Sequence, residues 1–398
     1  QKKTDDTVLA TGDWTDETSV KFTATVSDPD NPEVLYLCVE KDELGVGFSD
    51  IEDLCGSSVA YSGTPLEATV TITGITDAKE YHWQARVKDD DNAYSLWVSY
   101  DVNPESERDF GVDTTAPTGG TVNDGSGADI DWNAGSLTEM EANWSGFDSS
   151  VSGLAKYWAA FRRNLDGYYW NTADWQLGEY WYDRSLTTTI SLSSLNLNTS
   201  NGYYFSVKVD DNAGNTSSPV NSDGQRVLPT LAFVINTTSI VFDDLKTSNN
   251  HWDTKQSTVT TTTNAYGGYS VYAWITQLLT STAYPSEEIP NFADGTYGSP
   301  ALWPPGQCTG TNCGFGYTSS DTTIGPGKGN KFGSGTLYAP FSLLLPGDIV
   351  ADYVDPIDGG TGELVDDPYT ITYKVATLAS QSSTKYYNKV TYIITTTF

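Results

Sequence analysis

Residues 203–217, YYFSVKVDDNAGNTS, limit the fold more tightly than any other stretch of the chain. Tyr203, Phe205, Val207 and Val209 alternate with Tyr204, Ser206 and Lys208, the two-residue period of a strand that buries one face. The run then breaks into Asp210, Asp211, Asn212, Ala213, Gly214 and Asn215, residue types that favour turns. A second copy begins 122 residues earlier, where Tyr81, Trp83, Ala85 and Val87 alternate and Asp89, Asp90, Asp91 and Asn92 follow. Two strands with the same acidic exit, about one sandwich-domain length apart, predict a repeated antiparallel sandwich. Each would be the next-to-last strand of its domain.

The chain length of 398 residues allows about two to four such domains. Abundant Tyr, Trp, Thr and Val beside a single Met favour strands over helices. The net charge of -31 repels nucleic acid and anionic membrane surfaces, whose partners need Lys and Arg. Acidity on this scale fits either solubility or cation binding, because many acids cluster in loops. The four cysteines fall in two close pairs, which predicts disulfides Cys38–Cys55 and Cys308–Cys313 and an oxidising compartment. Zinc is the alternative, but neither pair has C-x2-C spacing, and His82 and His251 are the only histidines. No apolar stretch is long enough for a membrane span. The expected location is secreted or cell-surface, with Gln1 either a mature start or a cut.

The first domain is expected at 1–112. Val20, Phe22, Ala24 and Val26 alternate, the run SDPDNP breaks the strand, and Val34 to Val39 resumes it. "WTDETSVKFTATVSDPDNPEV" resembles the opening of fibronectin-type-III-like repeats in large bacterial surface proteins, and "YHWQARVKDDDNAYSLW" resembles their closing strands. That resemblance implies spacer or binding modules rather than enzymes; the Cys38–Cys55 pair departs from its pattern. Val112-Asp113-Thr114-Thr115-Ala116-Pro117 looks like a junction between bacterial Ig-like domains, and Pro117 holds Ala116 extended. The second domain is expected at 113–228. Its residues 153–182 resemble the central strands of bacterial Ig-like repeats through "YYWNTADW" and the later "DNAGN". The third domain, 229–398, is expected to be a larger β-sandwich. Strands are predicted at Ile240–Phe242, Ser257–Thr263, Tyr269–Trp274, Tyr369–Val375 and Lys389–Phe398. A Gly/Pro-rich insertion at about 280–335 would be pinned by the Cys308–Cys313 loop. The fold class is therefore all-β, a tandem array of three Ig-like or fibronectin-III-like sandwiches.

No nucleophile motif surrounds either histidine, and His82 is expected on the solvent face of its strand. Two carboxylates suffice for a glycosidase, a criterion that 52 acids make empty, so the chain is read as non-enzymatic with no organic cofactor. Calcium is the candidate cofactor. Sandwich topology gathers Asp113, Asp148, Asp210 and Asp211 at one pole of the second domain, and Asp28, Asp30, Asp89 and Asp91 at one pole of the first. A solvated acidic rim is the plain alternative at both. The aromatics Trp158, Tyr168, Trp170, Trp175, Tyr180 and Trp181 fit a core with cross-strand pairs better than a sugar platform. Tyr297, Trp303 and Tyr317 are the candidate glycan-binding residues. Four N-x-S/T triplets begin at Asn143, Asn198, Asn215 and Asn236. The functional expectation is a structural protein, the subunit of a head-to-tail filament in which residues 1–12 meet the third domain of the next copy. Its partners are then further copies of itself or a cell-surface glycan or protein. An adhesin, or the non-catalytic part of a larger surface enzyme, is the alternative.

Overall fold

The computed structural model describes residues 1–102, 106–149, 151–245, 251–305, 308, 313–324, 329–353 and 364–397. It divides into two compact units. The first comprises Gln1–Ile130, Glu141–Leu192 and Tyr203–Gly224, and the second Asp131–Met140, Ser193–Gly202 and Gln225–Phe398. Among the described residues the only helical element is a 3-10 turn at Tyr100–Val102.

The first unit opens with β1 (Asp13–Thr15), β2 (Ser19–Val26), β3 (Glu33–Glu43), β4 (Leu54–Cys55), β5 (Val59–Tyr61), β6 (Leu66–Thr73), β7 (Lys79–Lys88), β8 (Val98–Ser99) and β9 (Phe110–Val112). One sheet runs β1-β9-β7-β3-β4, and β2 pairs with β6 to make the other. Val20 and Phe22 of β2 and Val70 of β6 meet Leu35, Leu37, Tyr81 and Trp83 in one buried core. Two sheets closing on one core make a β-sandwich, and β7, its last long strand, followed by the short β8 and β9 rather than by one final strand, lies between its neighbours β3 and β9, an Ig/fibronectin-III-like order. The first β-strand pairs in parallel with β9. Residues 1–12 belong to this sandwich. The Gln1 amide donates to the Asp109 carbonyl, and the Trp83 indole N–H donates to Gln1 Oε1 at 3.0 Å.

The chain continues through β10 (Thr121–Asp124), β11 (Trp132–Asn133), β12 (Met140–Ser145), β13 (Leu154–Arg163), β14 (Tyr168–Trp170), β15 (Trp175–Leu177), β16 (Tyr182–Asp183), β17 (Thr189–Leu192), β18 (Gly202–Asp211), β19 (Val220–Asn221) and β20 (Gln225–Val227). Strands β10, β12 and β17 form one sheet, while β18, β13, β14 and β15 lie side by side in another. Edge-on contacts of Phe147 and tilted contacts of Trp144 with Tyr157 join the two layers. The alternation in β18 holds: Tyr203, Phe205, Val207 and Val209 are fully buried. In the second unit, β11 pairs in parallel with β20.

The rest of the second unit contains β21 (Leu231–Ile235), β22 (Trp252–Thr263), β23 (Tyr269–Ile275), β24 (Leu279–Ser281), β25 (Glu288–Ile289), β26 (Ala301–Leu302), β27 (Gly314–Ser319), β28 (Leu337–Tyr338), β29 (Asp348–Tyr353), β30 (Leu364–Ala376), β31 (Tyr386–Tyr387) and β32 (Val390–Thr396). The sheet β21-β22-β30-β27 and the sheet β29-β23-β32 enclose a core that includes Val259, Tyr269, Val271, Tyr317, Val350 and Ile371. Two expectations need correction here. Ile240–Phe242 is not a strand; Leu231–Ile235 takes the place beside β22, and Ile240 and Phe242 only pack against the core. The stretch 280–335 is not a mere insertion, because β27 supplies a full strand paired in register with β30. The last residue of the expected final strand, Phe398, lies outside the described residues, as do 309–312 of the Cys308–Cys313 loop.

Candidate functional site

Both disulfides are formed. Cys38 and Cys55 are direct cross-strand partners with Cα atoms 4.0 Å apart, and Cys308 and Cys313 have Cα atoms 4.9 Å apart. The first one ties the 44–55 segment across the outer face of β3 and β7. This explains a third correction: His82 is buried, not on the surface. Its ring stacks on Phe48 at 4.2 Å, and Nε2 lies 2.8 Å from the Val46 carbonyl. On the same face Glu40 is buried and accepts hydrogen bonds from Ser49 N (2.6 Å), Ser49 Oγ (2.7 Å) and Gln84 Nε2 (2.8 Å). Burial alone would push this carboxyl up; the Ser49 and Gln84 hydrogen bonds outweigh it and hold it below the usual range.

At the second acidic pole, the turn after β18 is wound around one carboxylate. Asp211 is buried, and its Oδ1 accepts the N–H groups of Ala213 (3.0 Å), Gly214 (2.9 Å) and Asn215 (2.8 Å). The Asn215 amide reaches from Asp211 Oδ2 (3.0 Å) to the Asp113 carbonyl (2.7 Å). Asp113 is also buried; its carboxylate accepts Ser152 N–H at 2.9 Å and Thr115 N–H at 3.1 Å. Asp210 accepts from the Trp158 indole (2.7 Å) and the Thr216 hydroxyl (2.6 Å). Asp148 is exposed and is joined to Thr118 through the backbone. Asp113 and Asp148 both line a cavity of about 60 Å³ with Thr115, Thr118 and Val151. Three of the four carboxylates thus serve the chain's own N–H and O–H donors, and no three of the four bring ligand atoms within 4.8 Å of one another.

The first acidic pole is different. Glu33 is hydrogen-bonded to Asp90, with Asp28 and Asp89 nearby, and its carboxyl is raised to about 7, chiefly by that shared hydrogen bond and then by desolvation and repulsion. Asp30 and Asp91 stand exposed on the same loops, and Asp30 N donates to Asp28 Oδ1 at 2.8 Å. Sequence reading placed Asp28, Asp30 and Asp89–Asp91 at this pole but missed Glu33, which stands among them. A further carboxylate set, Asp124, Asp129 and Asp223, brings its oxygens within 4.8 Å and has the geometry to hold a hard cation. Asp124 is buried and accepts the Gly224 N–H at 2.9 Å. Asp124 and Asp129 share one short segment, but Asp223 lies about a hundred residues further on, so no local motif marks the set.

The three candidate glycan-binding aromatics sit in or against the core. Tyr317 is fully buried, Trp303 is stacked on Phe292 at 4.1 Å, and Tyr297 is half-buried under the Lys331 ammonium at 4.0 Å. Phe332 and Phe341 pack against the Tyr317 ring and Phe292 against Trp303, while Tyr297 keeps part of its surface exposed. Trp303 has an internal partner that sequence reading did not find. Buried Lys374 donates to the carbonyls of Trp303 (2.6 Å) and Pro304 (3.2 Å), and its ammonium lies 5.0–5.4 Å from the rings of Trp252, Trp303 and Tyr338. Burial lowers this ammonium to about 8. The arrangement fastens the 303–304 segment onto β30.

No protein-family model and no curated protein match the sequence. Solved structures similar to it include fibronectin(III)-like modules of Clostridium thermocellum CbhA, at 13% identity and TM-score 0.30, covering 55% of this chain and 90% of that one. Domains FN1–FN3 of chicken CNTN1 match at 14% identity and TM-score 0.27, covering 55% of this chain and 62% of that one. Consecutive domains of titin match at 12% identity and TM-score 0.32, covering 55% of this chain and 60% of that one. The chain thus spans less than two thirds of the contactin and titin structures. The sandwich order described above rests on the chain's own strand pairing.

Proposed function

We propose that this chain is a non-enzymatic, secreted or cell-surface structural protein. Its three serial sandwich domains, with boundaries near 112 and 228, act as a stiff spacer that assembles head to tail into a filament. One observation carries the reading: the Val112–Thr118 segment is built into the fold on both sides. Asp77 holds the Thr114 N–H (2.8 Å) and hydroxyl (2.7 Å), and buried Asp113 is bound by Ser152, Thr115 and Asn215. A buried carboxylate is tolerated only when hydrogen-bonded, so these contacts fix the segment's geometry. A spacer needs such joints, and two local disulfides suit an oxidising exterior. Calcium belongs to the proposal at the first acidic pole, where Glu33 is crowded by Asp90, Asp28 and Asp89 and a divalent cation would relieve their repulsion.

Light scattering and negative-stain images of the full chain, with calcium and with chelator, test this. Rod-like particles that join end to end are expected. Particles jointed at the 112–118 segment, or a monodisperse monomer at high concentration with calcium, would sink it.

A further inference from the structure

We propose that Asn236 is a glycan-acceptor site; this rests on the extracellular reading above. Four triplets satisfy the N-x-S/T requirement, and the structure separates them. Asn143 spends both amide hydrogens on the carbonyls of Gly125 (2.9 Å) and Gly127 (2.7 Å). Asn215 spends both on Asp113 and Asp211, and the hydroxyl of its Ser217 is buried as the acceptor for Val209 N–H. The amide oxygen of Asn198 accepts the N–H of Ser200 and Asn201 and the Ser200 hydroxyl, so both polar groups of that triplet are bound into their own turn. Asn236 is exposed; its oxygen accepts Thr258 N–H at 2.9 Å, and its Nδ2 has no hydrogen-bond partner among the described residues. Thr238 is exposed too, and its hydroxyl has no hydrogen-bond partner among the described residues. A glycan on Nδ2 leaves the Thr258 bond intact and displaces nothing.

Asn236 also directly follows β21, the edge strand of its sheet. The apolar residues Leu231, Val234 and Val241 are exposed there, Val234 by 61% and Val241 by 75%. An open apolar edge invites pairing with another chain, and a bulky hydrophilic sugar beside it blocks that approach. The donor is an oligosaccharide carried on a polyprenyl phosphate or diphosphate. Asn236 Nδ2 forms a C–N bond to the anomeric carbon, the anomeric C–O bond breaks, and the phosphate leaves with the electron pair. The amide gives up one proton to a base of the transferase.

The test is peptide mapping, without reduction, of the protein purified from the cells that make it, alongside Thr238→Ala and Asn236→Gln variants. A sugar-sized mass increment is expected on the Asn236 peptide, with the Asn143 and Asn215 peptides bare. Thr238→Ala, which keeps the asparagine and its Thr258 bond, should lose the increment and scatter more light at high concentration. A bare Asn236 peptide beside both intact disulfides overturns this proposal and leaves the extracellular reading standing. Bare Asn236 with free thiols overturns both. An increment that survives Thr238→Ala, or appears on Asn143 or Asn215 instead, also overturns it.

Discussion

Asp211 shows how one acidic side chain in this protein is structural. Its carboxylate collects three backbone N–H groups of a turn and the amide of Asn215. Asp211→Ala strands those donors in a buried turn, and a loss of about 3 kcal/mol is expected by urea denaturation, with Asp211→Asn milder because one acceptor oxygen stays. Glu33 makes the opposite case. Its folded carboxyl is raised to about 7 from an ordinary 4.5, so the folded state binds that proton more tightly than the unfolded state. Its stabilising contribution is complete below pH 4.5 and fades as pH rises toward 7. The melting temperature of the first sandwich should therefore fall across that window beyond the trend of an Asp90→Asn variant, which removes the repelling partner. Parallel melting curves of the two proteins from pH 4 to 8 would show Glu33 to be uninvolved.

At the scale of elements, β7 and β27 depart most from their sequence patterns. Tyr81 and Trp83 face the core as their alternation predicts, yet His82 and Gln84 on the other face are buried too. The cover comes from the 44–55 segment, a tertiary event that alternation within β7 does not encode. In β27 the alternation of Phe315 and Tyr317 is present, but Gly314 and Gly316 before each of them read as loop. Those glycines exist for closeness: a Cβ on Gly316 would meet the Ala339 carbonyl oxygen at 2.7 Å. Gly316→Ala should destabilise the second unit by about 1–3 kcal/mol, read from chemical denaturation followed by tryptophan fluorescence. An unchanged midpoint would mean that the strand can move away from Ala339.

Over the whole molecule, the net charge of -31 works against compactness. Added sodium chloride should raise the melting temperature by screening, and calcium at matched ionic strength should raise it further if carboxylates bind the ion. Equal curves for the two salts remove calcium from the proposal. Cys38–Cys55 closes a 17-residue separation, so its reduction should cost about 3 kcal/mol on the loop-entropy view, more than reduction of Cys308–Cys313 with a separation of 5. Unfolding after selective replacement of each pair by alanine checks the order.

The sequence by itself determined the strands whose signal is local. Alternation marked β2, β7, β18 and β23, turn formers marked the ends of β2, β7 and β18, runs of strand-forming residues marked β22 and β30, and close spacing marked both cysteine pairs. The rest was decided by contacts that no short window contains. The Asp124, Asp129 and Asp223 oxygens meet from segments about a hundred residues apart. Lys374 finds its rings in Trp252, Trp303 and Tyr338, and the aromatics of the Gly/Pro-rich stretch turn inward because β27 fills a sheet position beside β30. A period of two tells which residues share a strand face. Which faces end up covered depends on the path of loops across them, and that path is set by the packing of the whole fold.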